Sequence, residues 1–215
     1  MEVELGGERV VLLPDRAAWL PAHATLLVAD AHLGKAASFR RLGVPVPEAS
    51  TDGTLARLDA TIAATGARRI VFLGDLLHAA RGRGPVLDAA LQAWRSRQAG
   101  LDLVLVRGNH DRKAGDPPPA WGLLAVAEPL RLGGLALRHH PQPEPGAYVL
   151  AGHVHPAAIV GGPAHQRLRL PCFWLGAEVG VLPAFGEFTG GRVVEPEAGD
   201  RVFVAGGERV WALRG

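Results

Sequence analysis

The sequence predicts an α/β fold in which a parallel sheet is followed by a second, mainly β half. Two observations carry this. In the first half, three short apolar runs, each leading into an acid-bearing motif, alternate with two stretches of helical periodicity, which is the pattern of right-handed β-α-β crossovers. Beyond the proline-rich stretch from Pro117 to Pro119, the apolar runs are short and separated by tight glycine turns, with no helical period between them.

Taken in order, Val3 to Leu13 alternates around Gly6-Gly7 and reads as a first hairpin. Thr25 to Asp30 (TLLVAD) is a strand that ends in an acid. From Ser50 to Thr65, Leu55, Leu58 and Ile62 recur at helical spacing, and Gly66 is placed to stop the helix. Arg69 to Asp75 (RIVFLGD) is the next strand. Pro85 opens a second helix with Leu87, Leu91 and Trp94 on its apolar face, and Gly100 is expected to end it. Leu101 to Asp111 (LDLVLVRGNHD) is the third strand of this kind. AVAEPLRLGGLALRHHP, AYVLAGHVHP, QRLRLPCFWLG and RVFVAGGERVWAL then read as short strands of a second sheet. There is no repeat at a fixed period and no sharp break in composition, so one domain is expected over residues 1–215.

With 48% hydrophobic residues in 215, the chain can bury a real core. The net charge is only +2, yet the isoelectric point is about 9.2, because the basic residues are almost all arginines; lysine occurs only at Lys35 and Lys113. That balance is compatible with an anionic partner and does not require one. A single cysteine, Cys172, excludes an internal disulfide framework and any multi-cysteine zinc site. The first residues, MEVELGGERVVLLP, carry acids where a signal peptide needs a basic region, and no window approaches the roughly 18 apolar residues of a membrane span. A cytoplasmic protein without a membrane partner is therefore expected.

Loops converge at the strand ends of an open α/β sheet, and ligands bind there. Here those ends carry Asp30-Ala31-His32, Gly74-Asp75, Gly108-Asn109-His110-Asp111, His139-His140 and Gly152-His153-Val154-His155. Six of the nine histidines fall within these positions, more than packing needs explain. Carboxylates, an amide oxygen and imidazoles suit divalent manganese, iron or zinc, whereas calcium prefers an all-oxygen shell. The donors are too many for one tetrahedral ion and fit two ions sharing a carboxylate. Residues two apart on a strand face one way, so Asp30 with His32, and His153 with His155, can aim at one centre.

The ordered series D-A-H, G-D, G-N-H-D, H and G-H-V-H resembles the calcineurin-like metallophosphoesterase superfamily. Within it, ADAHLGKAASFRRLGVPVP, GDLLH, HHPQP, GHVHP and RLRLPCFWLG resemble the ligase-associated DNA damage response endonuclease family over almost the whole chain. The resemblance implies a two-sheet sandwich with helices packed outside (α/β/β/α) and the active site at the strand ends. It implies a manganese-dependent phosphodiesterase acting as a DNA endonuclease in repair, with single-stranded DNA as substrate and a functional link to a DNA ligase, a nuclease and a helicase. It also implies roles: Asp30, His32 and His155 for one metal, Asn109, His139 and His153 for the other, and Asp75 bridging both. His110 would serve the leaving oxygen, with Asp111 orienting its ring. His140 is read as structural support rather than a ligand. Lys35, Arg41, His78, Arg81 and Arg112 are candidates for contact with the substrate's phosphates.

Two other readings compete. One is hydrolysis of a small or lipid-linked nucleotide phosphodiester or pyrophosphate, although the segment between the third and fourth blocks is too short for a lipid-binding cap. The other is a non-catalytic scaffold, which the full set of ligand positions and His110 argues against. Trp174, Phe173 and Cys172 are expected to be packing residues.

Overall fold

The computed structural model describes residues 1–44, 50–161, 166–187 and 189–213. The first sheet runs in chain order: β1 (Glu2–Leu5), β2 (Glu8–Leu12), β3 (Ala18–Leu20), β4 (Thr25–Val28), β5 (Arg69–Leu73), β6 (Asp102–Val106) and β7 (Leu123–Val126). Neighbours from β1 to β4 are antiparallel, and those from β4 to β7 are parallel. Four helices accompany it: α1 (Lys35–Arg41), α2 (Ser50–Thr65), α3 (Pro85–Arg97) and α4 (Asn109–Ala114).

The second sheet comprises β8 (Leu130–Leu132), β9 (Leu135–Leu137), β10 (Tyr148–Ala151), β11 (Pro156–Gly161), β12 (Arg167–Leu175), β13 (Val179–Val181), β14 (Arg192–Val193), β15 (Arg201–Gly206) and β16 (Arg209–Leu213). Its order is β14-β11-β12-β13-β10-β9-β8, with β15 pairing to β12 and β16.

Strand alternation distributes the core. Leu27, Val71, Leu73 and Val106 from the first sheet meet Leu135, Leu137, Leu150, Phe173 and Leu175 from the second, so the two sheets pack face to face. The alternate residues Leu26, Val28, Ile70, Phe72, Leu103 and Leu105 face outward and are covered by Leu55, Leu58 and Ile62 of α2 and Leu87, Leu91 and Trp94 of α3. Each such fully buried aliphatic or aromatic side chain contributes about 1.5–3 kcal/mol. The two-sheet α/β sandwich is the expected architecture. Among the described residues the α-helices all precede Gly115 and lie with the first sheet; the outer face of the second carries Cys172, Val202 and Val204, packed by Trp174, Trp211 and Val194.

Several elements had no signal in the sequence: α1, α4, β3, β11, β13 and β14. The helix from Pro85 ends at Arg97 rather than at Gly100, because the Gln98 amide turns back onto the Trp94 and Arg95 carbonyls and a further turn, Leu101 N to Gln98 O, leads into β6.

Candidate active site

The parallel strands β4, β5 and β6 end together, and their C-terminal loops continue the register for a few residues. The Asp30 amide donates to the Gly74 carbonyl (3.3 Å), His32 to Asp75 (2.9 Å) and Leu33 to Leu76 (2.7 Å). These bonds bring Asp30, His32 and Asp75 side by side. From the second sheet, the Gly152 amide binds the His139 carbonyl (3.2 Å), and the His153 amide donates to Asp30 Oδ2 (2.9 Å), which ties both sheets to one carboxylate.

Asp30, His32 and His155 form one group of convergent donors, and Asp30, Asp75 and His139 another; His153 stands with His139 and His140, and His78 and His110 stand with His32. Asp75 lies between them: Oδ1 is 3.5 Å from His139 Nε2, and Oδ2 is 4.0 Å from His32 Nε2. Asp30 and His139 are wholly buried, and His32 and Asp75 nearly so.

Asp30 and His32 converge as expected, but not by strand alternation. Asp30, His32, Asp75, His153 and His155 all have positive φ, between 46° and 70°, so these side chains are aimed by left-handed turns rather than by an extended pleat. His153 also parts from His155 and joins the His139 side of the site.

The polar atoms in this centre face one another with too few protons. His139 donates through Nδ1 to the Leu73 carbonyl (3.0 Å), so Nε2 of the neutral ring presents a lone pair to Asn109 Oδ1 (2.9 Å) and Asp75 Oδ1 (3.5 Å). His155 donates through Nδ1 to the Gly190 carbonyl (3.2 Å), leaving Nε2 to face His32 Nε2 (3.3 Å) and Asp30 Oδ1 (3.4 Å). Asp30 Oδ1 is buried without a hydrogen-bond partner. Acceptors turned toward acceptors in a buried site are stable with cations between them, so the donor set fits divalent metal ions.

Burial keeps the His32 and His139 rings in the ligating, neutral form. It pushes His32 down to about 2, helped by His155 and Lys35, and His139 down to about 4 despite the neighbouring Asp30 charge. Burial also opposes protonation of His155, but the Asp30 carboxylate outweighs it and the pKa is raised; Asp75 is raised by its own desolvation.

Two glycines permit the approach. A Cβ on Gly74, which has φ +78°, would sit 2.2 Å from His139 Nδ1, and a Cβ on Gly108 would sit 2.2 Å from Asp75 Oδ1. Only hydrogen fits at either place.

The remaining candidate residues divide. The His110 amide donates to Asp75 Oδ1 (2.9 Å), and its ring stacks on His78 at 5.2 Å, which in turn stacks on Phe39 at 5.9 Å. The expected Asp111–His110 ring pairing is not formed. Asp111 is buried at the start of α4, where Oδ1 takes the Leu77 amide (3.0 Å) and Oδ2 the Gly108 amide (2.9 Å). The ring is held instead by the His78 carbonyl, which accepts from Nδ1 at 2.5 Å and leaves Nε2 3.9 Å from Asp75 Oδ2.

Lys35, half-buried, opens α1 beside the cluster, and its charge helps to lower His32 and His78; burial brings His78 to about 4. Arg81 lies near His78, while Arg41 donates to the Arg81 carbonyl and Arg112 to that of Arg107 (3.4 Å), both exposed. Glu128 carries no signal in the sequence. Its carboxylate accepts the His139 amide (2.9 Å), the His140 amide (3.1 Å) and His140 Nδ1 (2.7 Å), fixing the second-sheet loop that carries His139.

Two packed sheets whose strand ends gather carboxylates, an amide and imidazoles around a shared aspartate define a metallophosphoesterase. No family model matches the chain, and no curated protein matches it significantly. Among solved structures, Pseudomonas putida nuclease MPE is 46% identical and superposes with a TM-score of 0.87 over 99% of each chain. A phosphoesterase from E. coli, Yfce, gives a TM-score of 0.36 at 17% identity over 83% of this chain and 86% of its own, a similarity too weak to bear on function. The chain belongs to the metallophosphoesterase family that includes nuclease MPE.

Proposed function

We propose that this protein is a two-metal phosphodiesterase that cuts DNA internally, with single-stranded DNA as substrate, manganese as the metal and DNA repair in the cytoplasm as the setting. The observation that carries the hydrolytic reading is the convergence of carboxylate oxygens and imidazole nitrogens around buried Asp75, with Asp30 Oδ1 left without a hydrogen-bond partner among the described residues. Full-length similarity to a nuclease supports a nucleic acid as substrate. In this reading Asp30, His32 and His155 hold one ion, Asn109, His139 and His153 the other, and Asp75 bridges. Manganese, iron and zinc all accept these donors. Ions held there supply Lewis acidity, acidifying water and neutralising charge on the phosphate oxygens.

The chain's own residues do the rest. His110, with Nδ1–H committed to the His78 carbonyl, turns Nε2 toward the centre, where its doubly protonated ring delivers the Nε2 proton to the leaving oxygen and is left neutral. Asp111 supports it indirectly, by holding the turn that starts α4. Lys35 brings an ammonium to the phosphate from beside His32 and His78. His78 and Phe39 wall the leaving-group side with stacked rings.

The test incubates the protein with manganese and closed circular single-stranded DNA, beside His110→Ala and an EDTA-treated sample. Linear and shorter products from the parent alone support the reading. Rapid hydrolysis of a small phosphodiester with intact circles would move the substrate to the small-molecule class. Inactivity on both would refute phosphodiester hydrolysis.

A further inference from the structure

A groove of about 160 Å³ leaves the cluster at His155 and is walled by Arg16, Ala157, Arg169, Pro171 and Gly191. Among the described residues, no carboxylate lines it. It starts at a candidate metal ligand, because the Gly190 carbonyl in its wall is the group that His155 Nδ1 binds.

The arginines along this groove differ from many others in the chain. Arg9, Arg57, Arg97, Arg107, Arg131 and Arg138 are paired with carboxylates. Arg16 is half-buried in a turn; among the described residues its guanidinium hydrogen-bonds only the Ala184 carbonyl, at 3.4 Å, and the Glu187 and Asp15 charges act on it without a direct ion pair. Arg169 and Arg167 are exposed, and among the described residues neither has a carboxylate partner.

Alternation places Arg167, Arg169 and Pro171 on the same face of β12 as Phe173 and Leu175, which are buried between the sheets. That face therefore leaves the sandwich near His155 and continues outward as a pair of arginines, Arg169 and Arg167, whose Cα atoms lie about 6.8 Å apart. An extended single strand, its phosphates drawn further apart than the ~3.4 Å axial rise per nucleotide of a duplex, can match that spacing.

We propose that Arg16, Arg169 and Arg167 form a phosphate track that holds a polynucleotide strand on the His155 side of the scissile bond. This rests on the nuclease reading above and goes beyond it, because it says why a long anionic chain is preferred to a small diester. A small diester reaches only the metal cluster; a strand also lays its next phosphates along the track. None of these three arginines was among the substrate candidates legible in the sequence.

The experiment compares the parent, Arg167→Ala/Arg169→Ala, and Arg209→Ala on β16 as a control, on single-stranded DNA and on bis(p-nitrophenyl) phosphate. The double variant should lower kcat/KM for DNA at least tenfold, mainly through KM, relative to its value for the small diester. Its binding to a labelled oligonucleotide should show a salt slope shallower by about 1.4, the loss of two phosphate contacts. Arg16→Gln should act in the same direction, and Arg209→Ala should match the parent. An unchanged DNA-to-diester ratio with an unchanged salt slope would overturn the track. If the parent fails to cut DNA, the nuclease reading falls separately, and oligonucleotide binding by parent and double variant still decides whether the track exists.

Discussion

Gly108→Ala puts the smallest possible side chain at the centre of the site. Gly108 has φ −87° and ψ 179°, which alanine adopts freely, so any effect comes from space rather than backbone strain. The added Cβ would stand 2.2 Å from Asp75 Oδ1, 2.5 Å from the Asp75 amide nitrogen and 3.0 Å from His139 Cε1. Reaching ordinary contact requires a shift of roughly 1 Å in a carboxylate that also holds the His110 amide and sits 3.5 Å from His139 Nε2. Overpacking of this kind costs about 1–3 kcal/mol. A displacement of about 1 Å at a reacting centre costs on the order of a hundredfold in rate. The assay is hydrolysis of bis(p-nitrophenyl) phosphate at saturating manganese, with thermal unfolding followed by circular dichroism. Gly100→Ala serves as the control, since nothing lies within 4 Å of its Cβ position, and it should be neutral or slightly stabilising. Near-parental activity in folded Gly108→Ala would refute the claim that a glycine is needed for Asp75 to sit where it does.

At His153, φ is +70°, so in metal-free protein His153→Gly should be more stable to urea than His153→Ala by about 1 kcal/mol, the reverse of the usual order, while both lose activity; alanine being the more stable would remove the strain argument. Burial lowers the folded-state pKa of His139 to about 4, below its unfolded value, so the unfolded chain binds the extra proton and stability is lost as pH falls below about 6.5. Between pH 6.5 and 5.0 the metal-free parent should lose roughly 1.5 kcal/mol more than His139→Asn, and parallel urea-unfolding curves would contradict this. Asp111→Ala strands the Leu77 and Gly108 amides and should cost roughly 2–4 kcal/mol in chemical denaturation, with Asp111→Asn costing less. The Cys172 thiol, wholly buried and pushed up to about 12 by desolvation, should react with a disulfide reagent only after unfolding; labelling of native protein within minutes would place it elsewhere.

What was legible in the chain follows physical signal strength. Strands β4, β5 and β6 are continuous apolar runs buried on both faces, and α2 and α3 carry a repeating apolar stripe, so their positions could be read directly. The helix α1 buries only Ala36 and Ser38 in seven residues and starts from a left-handed Gly34, and α4 has five polar residues and a single alanine, Ala114; neither has a period to detect. The same weakness hid the role of Asp111. An acid three residues after Gly108 is a signature of a helix start, but without a visible helix it read as a partner for the adjacent histidine. The metal-type donors were legible because their chemistry is in the side chain. The groups that aim them were not, because they are the carbonyls of Leu73, His78 and Gly190, together with Glu128 on a neighbouring loop.

The left-handed turns at Asp30, His32, Asp75, His153 and His155 show how this aim is maintained. Each such conformation at a residue with a Cβ costs about 1–2 kcal/mol, and five of them cluster in one site. They persist because each is tied into neighbouring structure: His32 to the Asp75 carbonyl, Asp30 to Gly74, Asp75 through its carboxylate to the His110 amide, His153 to the Asp30 carboxylate, and His155 through its ring to Gly190. Backbone bonds between strand ends thus set the donor positions before any cation arrives, and lone pairs are left facing lone pairs. A fold that stores strain and unpaired acceptors in one place is less stable without its ions than its packing alone would allow. A cation bound by the folded state and not by the unfolded chain returns that stability in proportion to its affinity, which couples loading of the site to the integrity of the sandwich.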